Sequence, residues 1–488
     1  MHDAPDPRKQ EQTVLAPAQP PPCSAGRRVS RRAFLQAAGA SAATLVLSSC
    51  VPLPPTQPPS RAGEKVQLVY QDWRTDWFPP MARRMLEEFH ATHPNIRVFY
   101  TPDPENVEEK LLTDMEAGTA PDIFQGCCSW FPILAQKGYT LDLRPYVSAD
   151  LDRDTIEDWD PAQYSAFFTR DGRQYGLPKY HGALALFYNR DLFDRYRVDY
   201  PDESWDHDDY LAAMKRLTHD RDGDGQTDLW GSMIDVSWER IQMHVNGWGG
   251  NLVGPADPTR CRMGDQPAMD ALEWLRARMW DDRVMPTLGM QTMGTQQAFI
   301  NGRVAMVEDG SWALKTILSG ANFRIGVAPF PAGPVRRVTL ATTDGFGIYG
   351  GTRHPEAAWE LMKFLVSKQY GRAMAEANFL QPARASQVQE WVSLVKKEFP
   401  DRAREVNVAA FADGHVKGYS VTTEVFANMA EATQLAYAAW DRILTMGQAP
   451  VSIMKDVCRQ IQEAQKASTE GMGACCGRRA GDPETGGV

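Results

Sequence analysis

Long apolar runs, abundant cysteine and an excess of basic residues are all absent from this 488-residue sequence. No stretch of about 18 or more apolar residues occurs, so the sequence contains no ordinary membrane-spanning helix. Eight cysteines are too few for a disulfide-rich scaffold of this length. The 62 acidic and 52 basic side chains give a net charge of −10, which argues against a nucleic-acid-binding protein. With 43% apolar and 23% charged residues, the composition indicates a large, acidic globular chain.

Common enzyme signatures are missing as well. The sequence contains no GxSxG, no HExxH and no phosphate-binding P-loop motif. The segment 345–350 formally matches GxGxxG, but its first two glycines lie inside a predicted strand and the next helix begins only near Pro355. Nucleotide binding is therefore not expected. Acid pairs for glycoside hydrolysis are arranged in space and not by spacing, so a carbohydrate-active enzyme stays an alternative.

The first fifty residues have the features of an export signal. Arg31 and Arg32 precede a weakly apolar stretch that ends at Leu47-Ser48-Ser49-Cys50. This order resembles a twin-arginine signal joined to a bacterial lipoprotein cleavage site, although Gln36 stands where that pattern has a basic residue. We expect residues 1–49 to be removed and Cys50 to be acylated. The proline-rich residues that follow predict an extended tether between the lipid and the folded domain.

The remaining cysteines give no motif. Cys127-Cys128 and Cys475-Cys476 are adjacent pairs, a spacing that suits neither zinc nor a redox CxxC site. Cys261 and Cys458 are left open as free or paired.

From Glu64 onward, short strand-like segments alternate with amphipathic helical segments. Early strands are predicted at 66–70, 96–100 and 122–124, with helices at 80–90 and 107–115. Strands spaced by helices in this way predict parallel βαβ units. Further on, strands are predicted at 304–307 and 323–328, and helices at 267–282, 355–366, 424–445 and 451–468.

Several blocks carry a resemblance to a known family. They are Ala120–Phe124, Tyr175–Pro178, Leu186–Phe193, Ala298–Trp312 and Thr343–Leu365. In this order and spacing they are similar to segments of the extracellular solute-binding proteins of ABC importers, in the family that includes maltose-binding proteins. The blocks lie within roughly Glu64 to Ser468.

The resemblance implies an α/β fold of two lobes, each a mainly parallel sheet flanked by helices, with the ligand bound between them. About three hinge crossings are expected, near 179–182, 341–344 and 383–386. The implied division of the chain is 1–49 signal peptide, 50–63 tether, 64–180 plus 344–384 N-terminal lobe, 181–343 plus 385–470 C-terminal lobe, and 471–488 disordered tail.

The resemblance also implies a sugar ligand, whose C–H faces stack on aromatic rings and whose hydroxyl groups need polar partners. Trp312 matches the stacking aromatic of the family, and other candidates follow strand ends or flank crossings, where a cleft opens. For each tryptophan the alternative is a place in the core, and for the lone histidine a place in the hinge. The expected ligand-binding residues are Trp73, Ser129, Trp130, Tyr180, His181, Trp238, Trp312, Thr343 and Asp344.

An aspartate-rich loop resembles a calcium-binding loop. Asp220, Asp222, Asp224 and Asp228 occupy positions 1, 3, 5 and 9 of an EF-hand-like pattern, with a glycine at position 6 and a backbone carbonyl available from Gln226. The twelfth position is glycine and not glutamate. The sequence therefore predicts either a structural calcium site or a metal-free, solvated turn, and no cofactor for activity.

The function implied is that of an extracytoplasmic binding lipoprotein that captures a sugar or oligosaccharide and delivers it to an ABC permease. We expect no enzymatic activity, a monomer, membrane attachment through Cys50 and no nucleic-acid partner. The alternatives are a secreted, lipid-anchored carbohydrate-active enzyme and a ligand-binding sensor subunit. A polyamine or phosphodiester ligand is a further alternative to a sugar.

Overall fold

The computed structural model describes residues 65–128, 130–291 and 293–476; of Leu288 and residues 467–476 it describes the backbone only. The predicted signal peptide, the tether with Cys50, and Ser129 lie outside these residues. The strands are β1 (Val66–Asp72), β2 (Ile96–Pro102), β3 (Ile123–Gly126), β4 (Leu177–Pro178), β5 (Leu184–Asn189), β6 (Met306–Gly310), β7 (Ile325–Ala328), β8 (Thr339–Leu340), β9 (Gly345–Ile348) and β10 (Ser420–Val421).

Helices alternate with these strands. They are α1 (Phe78–Thr92), α2 (Val107–Ala117), α3 (Trp130–Gln136), α4 (Arg144–Asp150), α5 (Arg153–Glu157), α6 (Pro161–Ala166), α7 (Arg190–Tyr196), α8 (His207–Leu217), α9 (Trp238–Gly247), α10 (Gln266–Trp280), α11 (Thr295–Ile300), α12 (Leu314–Gly320), α13 (Pro355–Leu365), α14 (Lys368–Asn378), α15 (Val388–Glu398), α16 (Asp413–Lys417), α17 (Met429–Trp440) and α18 (Met454–Cys476). Among the described residues, none of these helices is long and apolar enough to cross a bilayer.

Local sequence explains where several helices begin. Prolines occupy the first turn of α1, where their missing N–H groups cost nothing, and Met81, Met85 and Phe89 form its buried stripe. Helix α8 starts with a reciprocal cap, since the Asp206 carboxylate accepts from the Asp209 backbone and the Asp209 carboxylate accepts from the Asp206 N–H. These signals set the ends of the elements, and the apolar stripe sets which face is buried.

The first sheet has the strand order β2-β1-β3-β9-β4. Strand β1 pairs in parallel with both β2 and β3, as the βαβ pattern predicts. Strand β9 is antiparallel to both β3 and β4. It is the strand that returns from the other lobe, so it enters this sheet from the cleft side and runs the opposite way.

The second sheet has the order β6-β5-β7 and corrects one expectation. Both of its strand pairs are antiparallel, whereas a mainly parallel sheet was expected in each lobe. The reason is that β5 enters this lobe from the hinge and lies between β6 and β7, which both run back toward it. Thus each sheet contains one reversed strand, and that strand is the one arriving from the other lobe.

Two late boundaries also differ from the sequence prediction. The helix expected from Glu424 begins at Met429, because the Glu424 carboxylate accepts hydrogen bonds from the backbone N–H groups of Leu252 and Val253 and holds its own segment outside the helix. Helix α18 continues to Cys476, into the predicted tail. Extending an established helix adds one hydrogen bond for each residue fixed, and this favours the longer helix.

The N-terminal lobe, called the first lobe below, and the C-terminal lobe, called the second, have separate hydrophobic cores. One large cluster joins β1, α1 and β9 with α13 and α14 of the first lobe. Two others fill the second lobe: one joins α8, α9, α10, α17 and α18, and one joins β5, α12 and α15. A disulfide between Cys261 and Cys458 ties α18 to the segment before α10.

The three chain segments predicted as crossings lie side by side. Ala183 forms a β-bridge with Ala341, and Tyr180 forms one with Pro382. The Gln163 side chain donates to the carbonyl oxygens of both Tyr180 and Thr342, which links α6 to the first two crossings. The hinge is therefore a small hydrogen-bonded unit in which each crossing constrains the next.

Candidate ligand-binding cleft

A buried ion pair lies at the first crossing, where β1 ends. The Lys179 ammonium group contacts the Asp72 carboxylate, and both side chains are fully buried. The Tyr70 hydroxyl donates to the second carboxylate oxygen, and the Trp73 backbone N–H donates to the first at 2.7 Å. Burial raises the pKa of Asp72 and lowers that of Lys179, while the attraction between the two charges opposes both shifts.

Aromatic rings cover this pair. The Lys179 nitrogen lies 3.3 Å from the ring centroid of Trp73 and 4.6 Å from that of Phe78, in cation–π geometry. Trp73 is half-buried and also meets Tyr180 edge-on, with 5.5 Å between the centroids. Two predicted ligand residues, Trp73 and Tyr180, are thus brought together, but Tyr180 is itself buried.

The second crossing adds a buried carboxyl to the same region. The Asp344 backbone carbonyl accepts from the Lys179 N–H at 3.0 Å, and the residue as a whole is 7% exposed. Burial raises the pKa of Asp344 to about 6, against the opposing influence of Lys179. Asp103, whose carboxylate accepts from Gln125, also has its pKa raised to about 6 by burial.

The segment after β3 brings the first lobe close to the second. The Thr343 hydroxyl donates to the Cys128 carbonyl at 3.4 Å. The pKa of the Cys128 thiol is raised by its contact with Cys127, by burial, and by the negative charges of Asp344 and of Glu239 on α9. Trp130 follows and is buried in a cluster with Phe131 and Phe167, so in this arrangement it is a packing residue.

Trp312 lies between the two lobes. It is half-buried and packs against the hydrophobic clusters of both lobes. Its ring lies over Gly310, where an added Cβ would come within 2.2 Å of it, and beside Gly182, where an added Cβ would lie 3.1 Å away. The ring therefore depends on two glycines for its place next to the first crossing.

A cavity of about 450 Å³ opens between the lobes, within the range of small-molecule sites. Residues 132–175 of the first lobe line one side, residues 258 and 422–427 of the second lobe line the other, and Thr343 is part of the wall. Phe168 supplies an aromatic ring, Arg173 and Asp171 a salt bridge of 2.8 Å, and Thr423 a buried hydroxyl group with no partner among the described residues.

Direct contacts close the two walls on each other. The Gln136 amide donates to the Phe426 carbonyl at 3.1 Å, and the Arg170 guanidinium donates to the Ala256 carbonyl at 3.1 Å. Both donors belong to the first lobe and both acceptors to the second. Movement of one lobe would break these bonds and open the cavity.

Trp238 and His181 are also predicted ligand residues that do not line the cavity. Trp238 is 1% exposed in the core of the second lobe, and its indole N–H donates to the Glu424 carbonyl at 2.9 Å. The ring is packed against Phe426 and Trp440, so the expectation that Trp238 faces a ligand is corrected. It opens α9 with its side chain on the apolar stripe of that helix. His181 is fully buried and hydrogen-bonded to Asp160.

Sequence reasoning missed most of the cavity wall. Of the predicted ligand residues that the structure describes, only Thr343 lines it. Phe168, Arg170 and Arg173 lie in a connecting segment between α6 and β4, and Thr423 follows β10, where no motif marks them. One signal could have indicated Phe168, Arg170 and Arg173: they lie just before the block Tyr175–Pro178 that carries part of the family resemblance.

The aspartate-rich loop is exposed on the second lobe. Carboxylate oxygens of Asp220, Asp222 and Asp224 all lie within 4.8 Å of one another. Asp220 accepts from the backbone N–H groups of Gly223 and Gly225 at 2.7 and 2.8 Å, and Asp228 accepts from that of Arg221 at 2.8 Å. Backbone hydrogen bonds lower the pKa of Asp220. Three carboxylate groups are thus close together, and carboxylate oxygens are the ligands that a hard cation prefers.

Comparison with known proteins identifies the class. The family model for bacterial extracellular solute-binding proteins matches residues 73–372, and the chain belongs to this family. The resemblance stated from the sequence blocks is therefore confirmed.

The individual relatives are distant in sequence, but each match extends over more than half of both chains. A binding protein of Brucella abortus is 27% identical over 297 residues, 60% of this chain and 69% of its own. The maltodextrin-binding protein MdxE of Bacillus subtilis is 23% identical over 325 residues, 62% of this chain and 72% of its own. An ABC substrate-binding protein of Listeria monocytogenes, solved with cycloalternan, matches with a TM-score of 0.70 at 23% identity, covering 83% of this chain and all of the other.

The buried carboxyl of Asp344 predicts a pH-dependent stability. Its folded-state pKa of about 6 exceeds the ordinary 3.8, so the folded chain retains a proton that the unfolded chain releases between these values. Stability contributed by Asp344 is thus present below about pH 4 and is lost as the pH rises to 6. From pH 4 to 7 the wild type should lose about 2–3 kcal/mol relative to Asp344→Asn, because one pKa unit corresponds to about 1.4 kcal/mol.

Urea unfolding of both proteins at pH 4 and pH 7 measures this difference. Asp103 titrates in both proteins, so its contribution cancels. Asp76→Asn, at an exposed carboxyl of the same lobe, is the control and should follow the wild type. A constant difference between wild type and Asp344→Asn at the two pH values would contradict the prediction.

Proposed function

We propose that this protein is the extracytoplasmic substrate-binding component of an ABC importer, and that it captures a sugar or oligosaccharide in the inter-lobe cleft and delivers it to the permease. The observation that carries the proposal is the cavity of about 450 Å³ whose walls come from both lobes. Relatives whose names record a ligand include the maltodextrin-binding protein of Bacillus subtilis and a maltotriose-binding protein of Pyrococcus abyssi.

The chemistry of the walls suits a carbohydrate. Phe168 offers a flat apolar face for the C–H groups of a pyranose, and Thr422, Thr423 and Arg173 offer hydrogen-bonding groups for hydroxyls. The buried hydroxyl of Thr423 has no partner among the described residues, so a ligand hydroxyl would satisfy it. Two arginines, Arg170 and Arg173, and one aspartate, Asp171, line the wall, and this positive excess disfavours a cationic polyamine as the ligand.

Closure would couple binding to recognition by the permease. The Gln136 and Arg170 bonds form only when the two lobes approach, and the same approach encloses the cavity. A ligand that contacts both walls favours the closed state by its differential affinity for it. The permease would then dock on a surface that exists only in that state.

Truncation of the cavity aromatic tests the proposal. A panel of neutral oligosaccharides is first screened by thermal shift, and the best ligand is titrated calorimetrically into wild type, Phe168→Ala and Trp312→Ala. Removing a stacked ring should cost ~2 kcal/mol, or about thirtyfold in affinity. Trp312 does not line this cavity, but it packs between the lobes and stays a predicted ligand residue, so its variant tests separately whether the site extends to that ring.

Phe323→Ala is the matched control, since Phe323 is a half-buried aromatic that lies outside the cavity lining. Its affinity should equal that of the wild type. Thermal melting of each variant without sugar separates a binding loss from unfolding. Normal affinity in Phe168→Ala would contradict this location of the site, normal affinity in Trp312→Ala would contradict the prediction for that ring, and turnover of the sugar would favour the enzyme alternative.

We further propose that the chain is exported by the twin-arginine route and anchored through acylated Cys50. The order of Arg31-Arg32, apolar stretch and Cys50 supports this, and one relative, from Streptomyces antibioticus, is described as a lipoprotein. Replacing both arginines by lysine should leave precursor in the cytosol, and Cys50→Ala should release the protein from membrane fractions. Unchanged fractionation of Cys50→Ala would contradict the anchor.

The aspartate-rich loop is proposed as a structural calcium site formed by Asp220, Asp222, Asp224, Asp228 and the Gln226 carbonyl. The convergence of three carboxylates supports this, although Gly231 provides no ligand at the twelfth position. Calcium bound only to the folded state should raise the melting temperature, and a chelator should reverse the shift. Asp222→Asn should weaken the effect, and identical melting curves of metal-free wild type with and without calcium would exclude the site.

A further inference from the structure

A second group of metal-binding side chains lies at the hinge, away from the aspartate-rich loop. One potential ligand atom from each of Asp160, His181 and His415 lies within 4.8 Å of the other two. The His181 Nε2 is 3.1 Å from an Asp160 carboxylate oxygen. The rings of His181 and His415 are stacked, with 5.4 Å between their centroids.

The three residues come from three different parts of the fold. Asp160 precedes α6 in the first lobe, and its other oxygen caps that helix by accepting from the Ala162 and Gln163 N–H groups. His181 belongs to the first crossing. His415 lies on α16, which packs beside β8 and β10 next to the second lobe. A ligand held by all three would connect both lobes and the hinge.

The surroundings of His181 allow either of its ring nitrogens to carry the proton. Its Nδ1 lies 3.2 Å from the Gln381 amide nitrogen, and the Gln381 amide oxygen is buried without a partner among the described residues. Rotating this amide by 180° would place the oxygen against Nδ1 to accept its proton. The Nε2 lone pair would then be free to bind a metal, with Gln381 holding the ring from behind as outer partners of metal-bound histidines do.

We propose that Asp160, His181 and His415 bind a divalent transition metal ion of the zinc class. Two imidazoles and one carboxylate form a donor set suited to such ions, whereas calcium requires six or more oxygen ligands. The His181 and Asp160 atoms already have the separation of neighbouring ligands, which is about 3.4 Å in a tetrahedral site with bonds near 2.1 Å. His415 is half-buried, so its ring can move inward and a water molecule can supply the fourth ligand.

Two of the three donors are buried and the third is half-buried, so a bound ion would be largely shielded from solvent. A bound metal ion would connect the two lobes and stabilise their present arrangement, whether or not a sugar is bound.

Zinc titration of the full chain, purified without a polyhistidine tag, tests this site. Calorimetry is done without sugar and with calcium in excess, so that the aspartate-rich loop does not compete. We expect one equivalent of zinc to bind and to raise the melting temperature. In His415→Ala the affinity should fall at least about tenfold, in the range found when groups supporting a metal site are removed. Cobalt should give a visible absorption spectrum in wild type that His415→Ala lacks.

His354→Ala, at a half-buried histidine of the first lobe outside the cluster, is the matched control and should bind zinc as the wild type does. Asp160→Asn provides a second variant, because asparagine can still cap α6 while losing the charge, and it should also bind more weakly. Melting without metal verifies that each variant is folded. Absence of zinc binding by wild type, or equal affinity in His415→Ala and His354→Ala, would overturn the proposal and leave the stacked histidines a packing contact.

Discussion

The buried contact between Lys179 and Asp72 is the interaction on which the first crossing depends. Two charges removed from water are costly unless each is paired and hydrogen-bonded, and here Tyr70 and the Trp73 backbone complete the pairing. The contact fixes the end of β1 to the first crossing. It also places a positive charge near Asp103 and Asp344, where it opposes the effect of burial on the pKa of both carboxyl groups. Loss of either partner would leave the other charge unpaired, so the pair stabilises the end of β1 and the first crossing together.

The three crossings lie close together, and their packing restricts the size of the side chains between them. An added Cβ on Gly182 would lie 2.6 Å from the Thr342 hydroxyl, and one on Gly310 would overlap the Trp312 ring. The crossings also determine strand direction in the sheets, since β5 and β9 are each antiparallel to their neighbours because each arrives from the opposite lobe. The hinge is thus both a mechanical connection and the place where polar groups from distant parts of the chain meet: the ion pair on one side and the group of Asp160, His181 and His415 on the other.

Membership of the solute-binding family and the inter-lobe cavity agree with each other on physical grounds. A cavity whose walls belong to two lobes is enclosed only when the lobes approach, so under the proposed function ligand binding and lobe closure would be one equilibrium. The bonds from Gln136 and Arg170 to second-lobe carbonyls belong to the closed side of that equilibrium. A metal at the hinge would act on the same equilibrium from outside the cavity, since its ligands also come from both lobes.

The sequence by itself determined the class of fold, because strand and helix periodicities depend on neighbouring residues and the family blocks keep their order. Thus β1, α1, β2 and α2 were predicted close to their observed bounds, and the three crossings fell near the segments that meet in the hinge. Only the tertiary structure decided which side chains face the cleft. Trp238 and Trp312 both follow a strand or loop and look alike in sequence, yet one is enclosed by Phe426 and Trp440 and the other lies between the lobes. The direction of β5 relative to β6, the cavity wall around Phe168 and the approach of His415 to His181 likewise depend on contacts between residues far apart in the chain, which no local pattern encodes.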